Sequence, residues 1–296
     1  MVRDPAAIYV LTNSRAEEPT AAYRTVFEAA TAARDSSMSS PIVLRGDSTL
    51  RAHLLEEYLG VRDALAPGRE LPMLLVPALP AAGRITVDGV HLIEQDGKRI
   101  PLHDTPYARD PQFAYADARI VQWAEDRSGG YFARSASVEI GLNELRTRGS
   151  AVVADALLRI ADNGSASVCV PDAESQEDLT IIADGLRGAW RSGAEVVVRC
   201  APAFAGAIAR NTATRYATPS SARHGLLVVC GSYVPRSTRQ LARLVEAHPG
   251  VLIEVDVLAL AGQAPAVEIL RVARAAQDQL AATGLAIVAT PRDRPS

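Results

Sequence analysis

Ile42-Val43-Leu44-Arg45-Gly46-Asp47-Ser48-Thr49-Leu50-Arg51 decides how this chain is read. A short apolar run of strand length, 42–44, meets a turn at Gly46. A stretch of helical period then continues over 49–65. The same exchange recurs on either side. Residues 8–11 read as a strand and 20–34 as a helix, and 73–76 is a further apolar run. Residues 168–170 precede a helix over 177–191 with Ser175 as its N-cap, and 195–200 is again Val-rich. Strands alternating with helices predict an α/β fold with mainly parallel sheets flanked by helices.

One segment departs from this rhythm. In 85–102, Asp88-Gly89 and Asp96-Gly97 separate short β-like runs, which predicts a hairpin excursion. Residues 211–224 are polar, with Pro219 and Ser220-Ser221, and read as a linker. Beyond it come a strand at 226–230, a helix near 239–247, a strand at 251–257, a helix near 266–282 and a strand at 285–289. Two domains are expected, 1–222 and 223–296. The second, with three strands and two helices, reads as incomplete beside a doubly wound domain. A three-stranded sheet leaves an edge open, which invites pairing with a second copy.

Hydrophobic residues at 48% and charged residues at 22% suit a folded core. The net charge of −3 and the absence of a Lys/Arg run remove the electrostatic basis of nucleic-acid binding. Neither a signal peptide nor a membrane span is legible, so a cytoplasmic protein is expected. Cys169, Cys200 and Cys230 lie in Val-rich runs as reduced, packed thiols. The five histidines are scattered without metal-ligand spacing, so no metal site is expected.

Four segments carry polar groups where α/β sheets bind ligands, outside the carboxyl ends of strands. In the first, Asp47 can accept from sugar hydroxyls, Arg51 can clamp a carboxylate, and N–H groups of a helix opening at Ser48 or Thr49 can hold an anion. Equally, Ser48 only caps the helix, Asp47 complements its dipole and Arg51 is solvated. In the second, 77–84, two prolines and Gly83 stiffen a loop that presents Arg84, or form a rigid turn with an exposed Arg. In the third, His103 and Asp104 offer acid/base groups or are plain surface residues. In the fourth, Gly231 and Ser232 follow a strand and precede a helix. They suit close approach of a phosphate or ribose, or a tight turn.

Taken in order, these segments resemble the four-carbon acid sugar kinase family. Asp47-Ser48-Thr49-Leu50-Arg51 matches its D-S-T-L-R-G motif, and 77–84 is similar to its P-A-F-P-A-x-G-R loop. Residues 101–111 resemble its P-L-x-E-T-x-x-A-x-D-P stretch. Asp172-Ala173 with Asp178-Leu179 resembles D-A-x-x-x-x-D-L, and 231–240 resembles G-S-x-x-P-x-T-x-x-Q. The resemblance implies a sugar-acid-binding domain followed by an ATP-binding one, with phosphoryl transfer from ATP, with Mg²⁺, to a hydroxyl of a tetronate or 3-oxo-tetronate. It places Asp47, Ser48, Thr49, Arg51 and Arg84 at the sugar acid and Gly231 and Ser232 at the nucleotide; the catalytic base stays unassigned. Three departures go with it. The sequence holds no D-D-x-T-G-A ahead of 8–13, Ala52 stands where the family has glycine, and no G-G-[ED]-T or later Gly-rich segment is present. The expectation is tetronate binding with impaired turnover, or a non-catalytic sugar-acid binder.

Overall fold

The computed structural model describes residues 7–36, 41–209, 225–232, 234–262 and 265–292. It divides the chain into two units, Met1–Thr214 and Arg215–Ser296. The expected boundary at 222 and the polar linker at 211–224 lie outside the described residues.

In chain order the first unit contains α1 (Pro19–Asp35), β1 (Val43–Arg45), α2 (Leu54–Leu65), β2 (Met73–Val76), then β3 (Arg84–Val87), β4 (Val90–Gln95) and β5 (Lys98–Pro101). It continues with α3 (Ile120–Arg127), β6 (Val138–Ile140), α4 (Leu142–Arg148), α5 (Ser150–Asp162), β7 (Val168–Pro171), α6 (Gln176–Arg191), β8 (Val197–Cys200) and α7 (Pro202–Ile208). Five strands pair in the order β1-β8-β2-β7-β6, all parallel. β2, β7 and β8 are buried at every position, because helices cover both faces.

The period of two sorts those side chains. Leu74, Val76, Cys169, Val198 and Cys200 face one way, onto Leu179, Ile182 and Leu186 of α6 and Val153 and Leu157 of α5. Met73, Leu75, Val168, Val170 and Val197 face the other, onto Leu54, Tyr58 and Val61 of α2 and Ile120 and Trp123 of α3. Each fully buried aliphatic side chain contributes about 1.5–3 kcal/mol relative to exposure. α6 opens as the sequence predicts. Ser175 Oγ accepts from Asp178 N at 3.1 Å and Asp178 Oδ2 accepts from Ser175 N at 3.1 Å, a reciprocal cap.

The hairpin excursion is the antiparallel sheet β3-β4-β5. Both of its turns place two consecutive residues in the left-handed region, Asp88 (φ 51°) and Gly89 (φ 72°), then Asp96 (φ 53°) and Gly97 (φ 73°). That is why Asp-Gly occurs twice here.

The second unit contains β9 (Leu226–Cys230), α8 (Pro235–Ala247), β10 (Leu252–Glu254), α9 (Val257–Ala261), α10 (Pro265–Thr283) and β11 (Leu285–Ala289). Its described strands pair in parallel in the order β10-β11-β9. Leu241 and Leu244 of α8 cover one face; Val272, Ala276 and Leu280 of α10 cover the other. Leu226, Leu227 and Val229 on the edge strand β9 are 56%, 49% and 70% exposed.

Three expectations are corrected. Residues 8–11 form no strand: Ile8 is 58% and Leu11 88% exposed, and no described neighbour offers a ladder to this apolar run. The helix expected from 49 begins at Leu54, because Leu50 adopts φ 62° and breaks the path ahead of it. The strand expected over 251–257 is only Leu252–Glu254. Asp256 then caps α9, its carboxylate accepting from Ala259 N at 2.9 Å.

Burial pushes the thiols of Cys169 and Cys200 up to about 12, whereas Cys230 is half-buried. An aromatic disulfide reagent is therefore expected to modify Cys230 in the native protein, and Cys169 and Cys200 only after unfolding. Immediate release of three equivalents from native protein would contradict the sheet core described above.

Candidate functional site

The loops that leave the carboxyl ends of β1 and β2 build one polar cluster. After β1 the chain turns at Gly46, whose N–H donates to Cys200 O at 2.8 Å. A side chain at 46 would meet Arg199 Nη2 at 2.7 Å, so only glycine passes over that guanidinium. The next residues are held by their carbonyls. His91 Nε2 donates to Ser48 O at 3.0 Å, and Tyr115 Oη donates to Thr49 O at 3.0 Å. His91 Nδ1 in turn accepts from Thr86 Oγ1 at 3.1 Å. Burial pushes His91 down to about 4, which keeps it neutral and its tautomer fixed. The hairpin thus clamps the Asp47–Arg51 loop through a histidine in β4.

The side chains of this loop pair with one another and with their neighbours, and Thr49 is 2% exposed. Asp47 Oδ2 accepts from Thr49 Oγ1 and, at 2.7 Å, from Arg51 Nε; Arg15 Nη1 lies 3.5 Å from the same oxygen. Arg51 Nη1 reaches Asp110 Oδ2 at 3.4 Å. Burial would raise the Asp110 carboxyl, but the N–H groups of Gln112 and Phe113 and the Arg51 guanidinium hold it below its ordinary value.

Arg84 enters from the β2–β3 loop. Gly83 has φ 70°, and a Cβ there would strike Glu94 O at 2.7 Å. Arg84 Nη1 donates to Ala82 O at 3.0 Å and Nη2 to Tyr107 Oη at 3.3 Å. Its Nε is buried without a hydrogen-bond partner, and no carboxylate pairs with it among the described residues. The guanidinium carbons of Arg51 and Arg84 lie 5.4 and 5.8 Å from the centre of the same Tyr107 ring.

The structure therefore brings Asp47, Thr49, Arg51 and Arg84 together around Tyr107. Ser48 belongs to the loop but is buried, 8% exposed, and is gripped by its backbone. Since the helix opens at Leu54, the anion site expected from first-turn N–H groups at 48–49 is not formed, and Ser48 caps nothing. Gly231 and Ser232 lie exposed between β9 and α8 in the second unit.

Other motifs are structural. Asp172 is 1% exposed and accepts from Asp88 N at 2.7 Å and Gly89 N at 3.0 Å, which fixes the first hairpin turn. Burial raises its carboxyl against those bonds. Asp178 caps α6 and pairs with Arg146. His103 Nδ1 accepts from Ala118 N at 3.1 Å, and its other nitrogen lies 3.7 Å from Asp104, whose side chain is 61% exposed. These two brace the surface. An open cleft of about 360 Å³ lies at β6, lined by Arg119, Arg134, Ser137 and Glu139. Arg119 and Glu139 pair at 2.9 Å across it and satisfy each other.

Sequence reasoning missed Tyr107, Arg15 and the clamp by His91. It also missed a buried ion pair beneath the loop, Arg199 of β8 with Glu57 of α2, both 7% exposed at the side chain. Among the described residues no group of three His, Cys, Asp or Glu side chains is placed to hold a metal ion, and no helix is long and apolar enough to cross a membrane.

Comparison with known proteins identifies the family and the fold. Residues 2–208 match the model of a sugar-binding N-terminal domain and residues 227–296 that of a nucleotide-binding C-terminal domain. The chain is 33% identical over 256 residues to the D-erythronate kinase of Heliobacterium modesticaldum, a match covering 86% of this chain and 53% of that enzyme. It thus spans about half the length of this curated relative. Solved structures share the fold at lower identity. A Salmonella typhimurium LT2 protein described as a putative tRNA synthase has TM-score 0.65 and 20% identity, over 94% of this chain and 62% of that one. The Haemophilus influenzae protein HI1011 has TM-score 0.58 and 17% identity, over 95% and 64%. A Bordetella bronchiseptica protein, crystallised as a domain-swapped dimer with bound citrate, has TM-score 0.51 and 23% identity, over 97% and 63%. With its D-S-T-L-R loop assembled at the sheet edge and both domain models matched in order, the chain belongs to the four-carbon acid sugar kinase family.

Proposed function

We propose that this protein binds a four-carbon sugar acid at the Asp47–Arg84 cluster and serves its ATP-dependent phosphorylation in the cytoplasm. The observation that carries the reading is Arg84, a half-buried guanidinium with no carboxylate partner among the described residues and a buried, unpartnered Nε. A desolvated cation in that state favours an anionic ligand. Arg51 is already shared by Asp47 and Asp110, so Arg84 takes the larger part of the substrate carboxylate and Arg51 the smaller. Asp47 faces the hydroxyls of the acid, and the buried Thr49 donates to the Asp47 carboxylate and accepts from Arg51, holding both in place.

In the second unit Gly231 and Ser232 precede the 13-residue α8, whose first turn, after Pro235, carries backbone N–H groups suited to phosphate. Among the described residues a side chain at 231 would meet nothing within 4 Å. Bound ATP supplies the phosphoryl group, and Mg²⁺ enters chiefly through its phosphates. Self-association through the open edge of β9 belongs to the same reading. It is supported by the exposure of Leu227 and Val229 and by the domain-swapped dimer of the Bordetella protein.

Calorimetry with D-erythronate, L-threonate and the uncharged polyol erythritol, alongside a coupled ADP-release assay with Mg²⁺, tests the proposal. Binding of a tetronate but not of erythritol is expected. Binding without ADP release would keep the sugar-acid site and remove phosphoryl transfer from this chain. No binding of either tetronate would overturn the reading.

A further inference from the structure

Tyr107 lies in the short turn Pro106–Arg109, at a position the family pattern leaves open, and no motif draws attention to it. Its contacts are unlike those of a surface tyrosine. Both guanidiniums of the cluster lie over its ring, at 5.4 and 5.8 Å from the centroid. Its hydroxyl accepts from Arg84 Nη2 at 3.3 Å. A phenol has one proton to give, and no acceptor takes it among the described residues. The proton therefore remains available beside Arg84, whose own Nε is buried and unpartnered.

We infer that Tyr107 is a binding residue for the acid group: its hydroxyl donates to one carboxylate oxygen while Arg84 holds the other, and its ring fixes the guanidinium that does so. The inference rests on the sugar-acid reading of the site and adds to it a neutral donor that selects a carboxylate. A phenol O–H placed beside a guanidinium presents donors only and favours a charged, acceptor-only group; an alcohol oxygen can accept from them too, but as a neutral acceptor it is held more weakly and its own proton finds no partner there.

Two variants separate ring from hydroxyl. Tyr107→Phe keeps the stacking surface and loses only the proton; Tyr107→Leu loses both. The full chain is titrated with D-erythronate, L-threonate, the four-carbon dicarboxylate tartrate and erythritol, and each variant's thermal midpoint is compared with the wild type. Tyr107→Phe is expected to melt with the wild type and to bind the carboxylates about ten-fold more weakly, the loss of one charge-assisted hydrogen bond. Tyr107→Leu is expected to lose more, because Arg84 is no longer held. Unchanged carboxylate affinity in Tyr107→Phe would overturn the inference, as would a wild type that binds no carboxylate. A wild type that binds tartrate but neither tetronate would defeat the proposed substrate while leaving Tyr107 to be judged on tartrate.

Discussion

Glu57→Ala is expected to destabilise the first unit by about 3–5 kcal/mol, the cost of stranding a buried charge. Arg199 stands in a fully buried strand with Gly46 pressed onto its guanidinium, and Glu57 is the carboxylate that neutralises it. Ser14 Oγ donates to the other Glu57 oxygen at 2.5 Å, so the pair is roofed from the N-terminal side as well. With Glu57 gone, the guanidinium is left buried without its carboxylate, pressed against the Gly46 turn that leads into the Asp47–Arg51 loop. Urea unfolding followed by far-ultraviolet circular dichroism measures the loss. The double variant Glu57→Leu with Arg199→Met should recover much of it, because an apolar pair of similar volume replaces two buried charges. A single variant as stable as the wild type would show that Arg199 is not committed to Glu57.

Arg84→Ala is expected to weaken tetronate binding by about 1.5–3 kcal/mol, the range for a hydrogen bond to a charged group. Its fold should persist, since Arg84 donates only to Ala82 O and Tyr107 and balances no carboxylate of the described protein. Arg84→Lys should rescue little, because an ammonium lacks the fork that grips a carboxylate. Calorimetry on both variants decides the matter, and unchanged affinity in Arg84→Ala would move the acid group away from this loop.

Much of this was open to reading before any coordinates. The runs at 73–76, 168–170 and 195–200 are uniformly apolar apart from Arg199 and the leading Glu195, and such runs are what a sheet covered on both faces requires. The Asp-Gly pairs located both hairpin turns, and Ser175 marked the start of α6. The stretch 112–167 stayed unread, although it holds α3, β6, α4 and α5. Its apolar residues are interleaved with Arg, Asp and Glu that pair locally on the surface.

The side chains of the candidate cluster could be named from the sequence, whereas the backbone that brings them together could not. Asp47, Thr49, Arg51 and Arg84 do meet, but Leu50 in the left-handed region is a conformation no pattern of leucines announces. Tyr107, placed by a turn of four residues, gave no periodic signal. Glu57 and Arg199, 142 residues apart, each look like an ordinary surface charge until the fold brings them together.

The strand order β1-β8-β2-β7-β6 also governs how the chain reaches this state. β1 borders β8 alone among its described neighbours, and β8 is the last strand of the unit to leave the ribosome. At about 5–20 residues per second of synthesis, β1 and the loop after it wait roughly 8 to 30 seconds with an open edge before β8 slots between β1 and β2. Closing pairs so distant in sequence is slow, since loop entropy is lost before any contact rewards it. The Arg199–Glu57 pair and the Gly46–Cys200 bond both need β8 in place, so the Asp47–Arg51 loop is expected to be among the last parts of the unit to become native during biosynthesis.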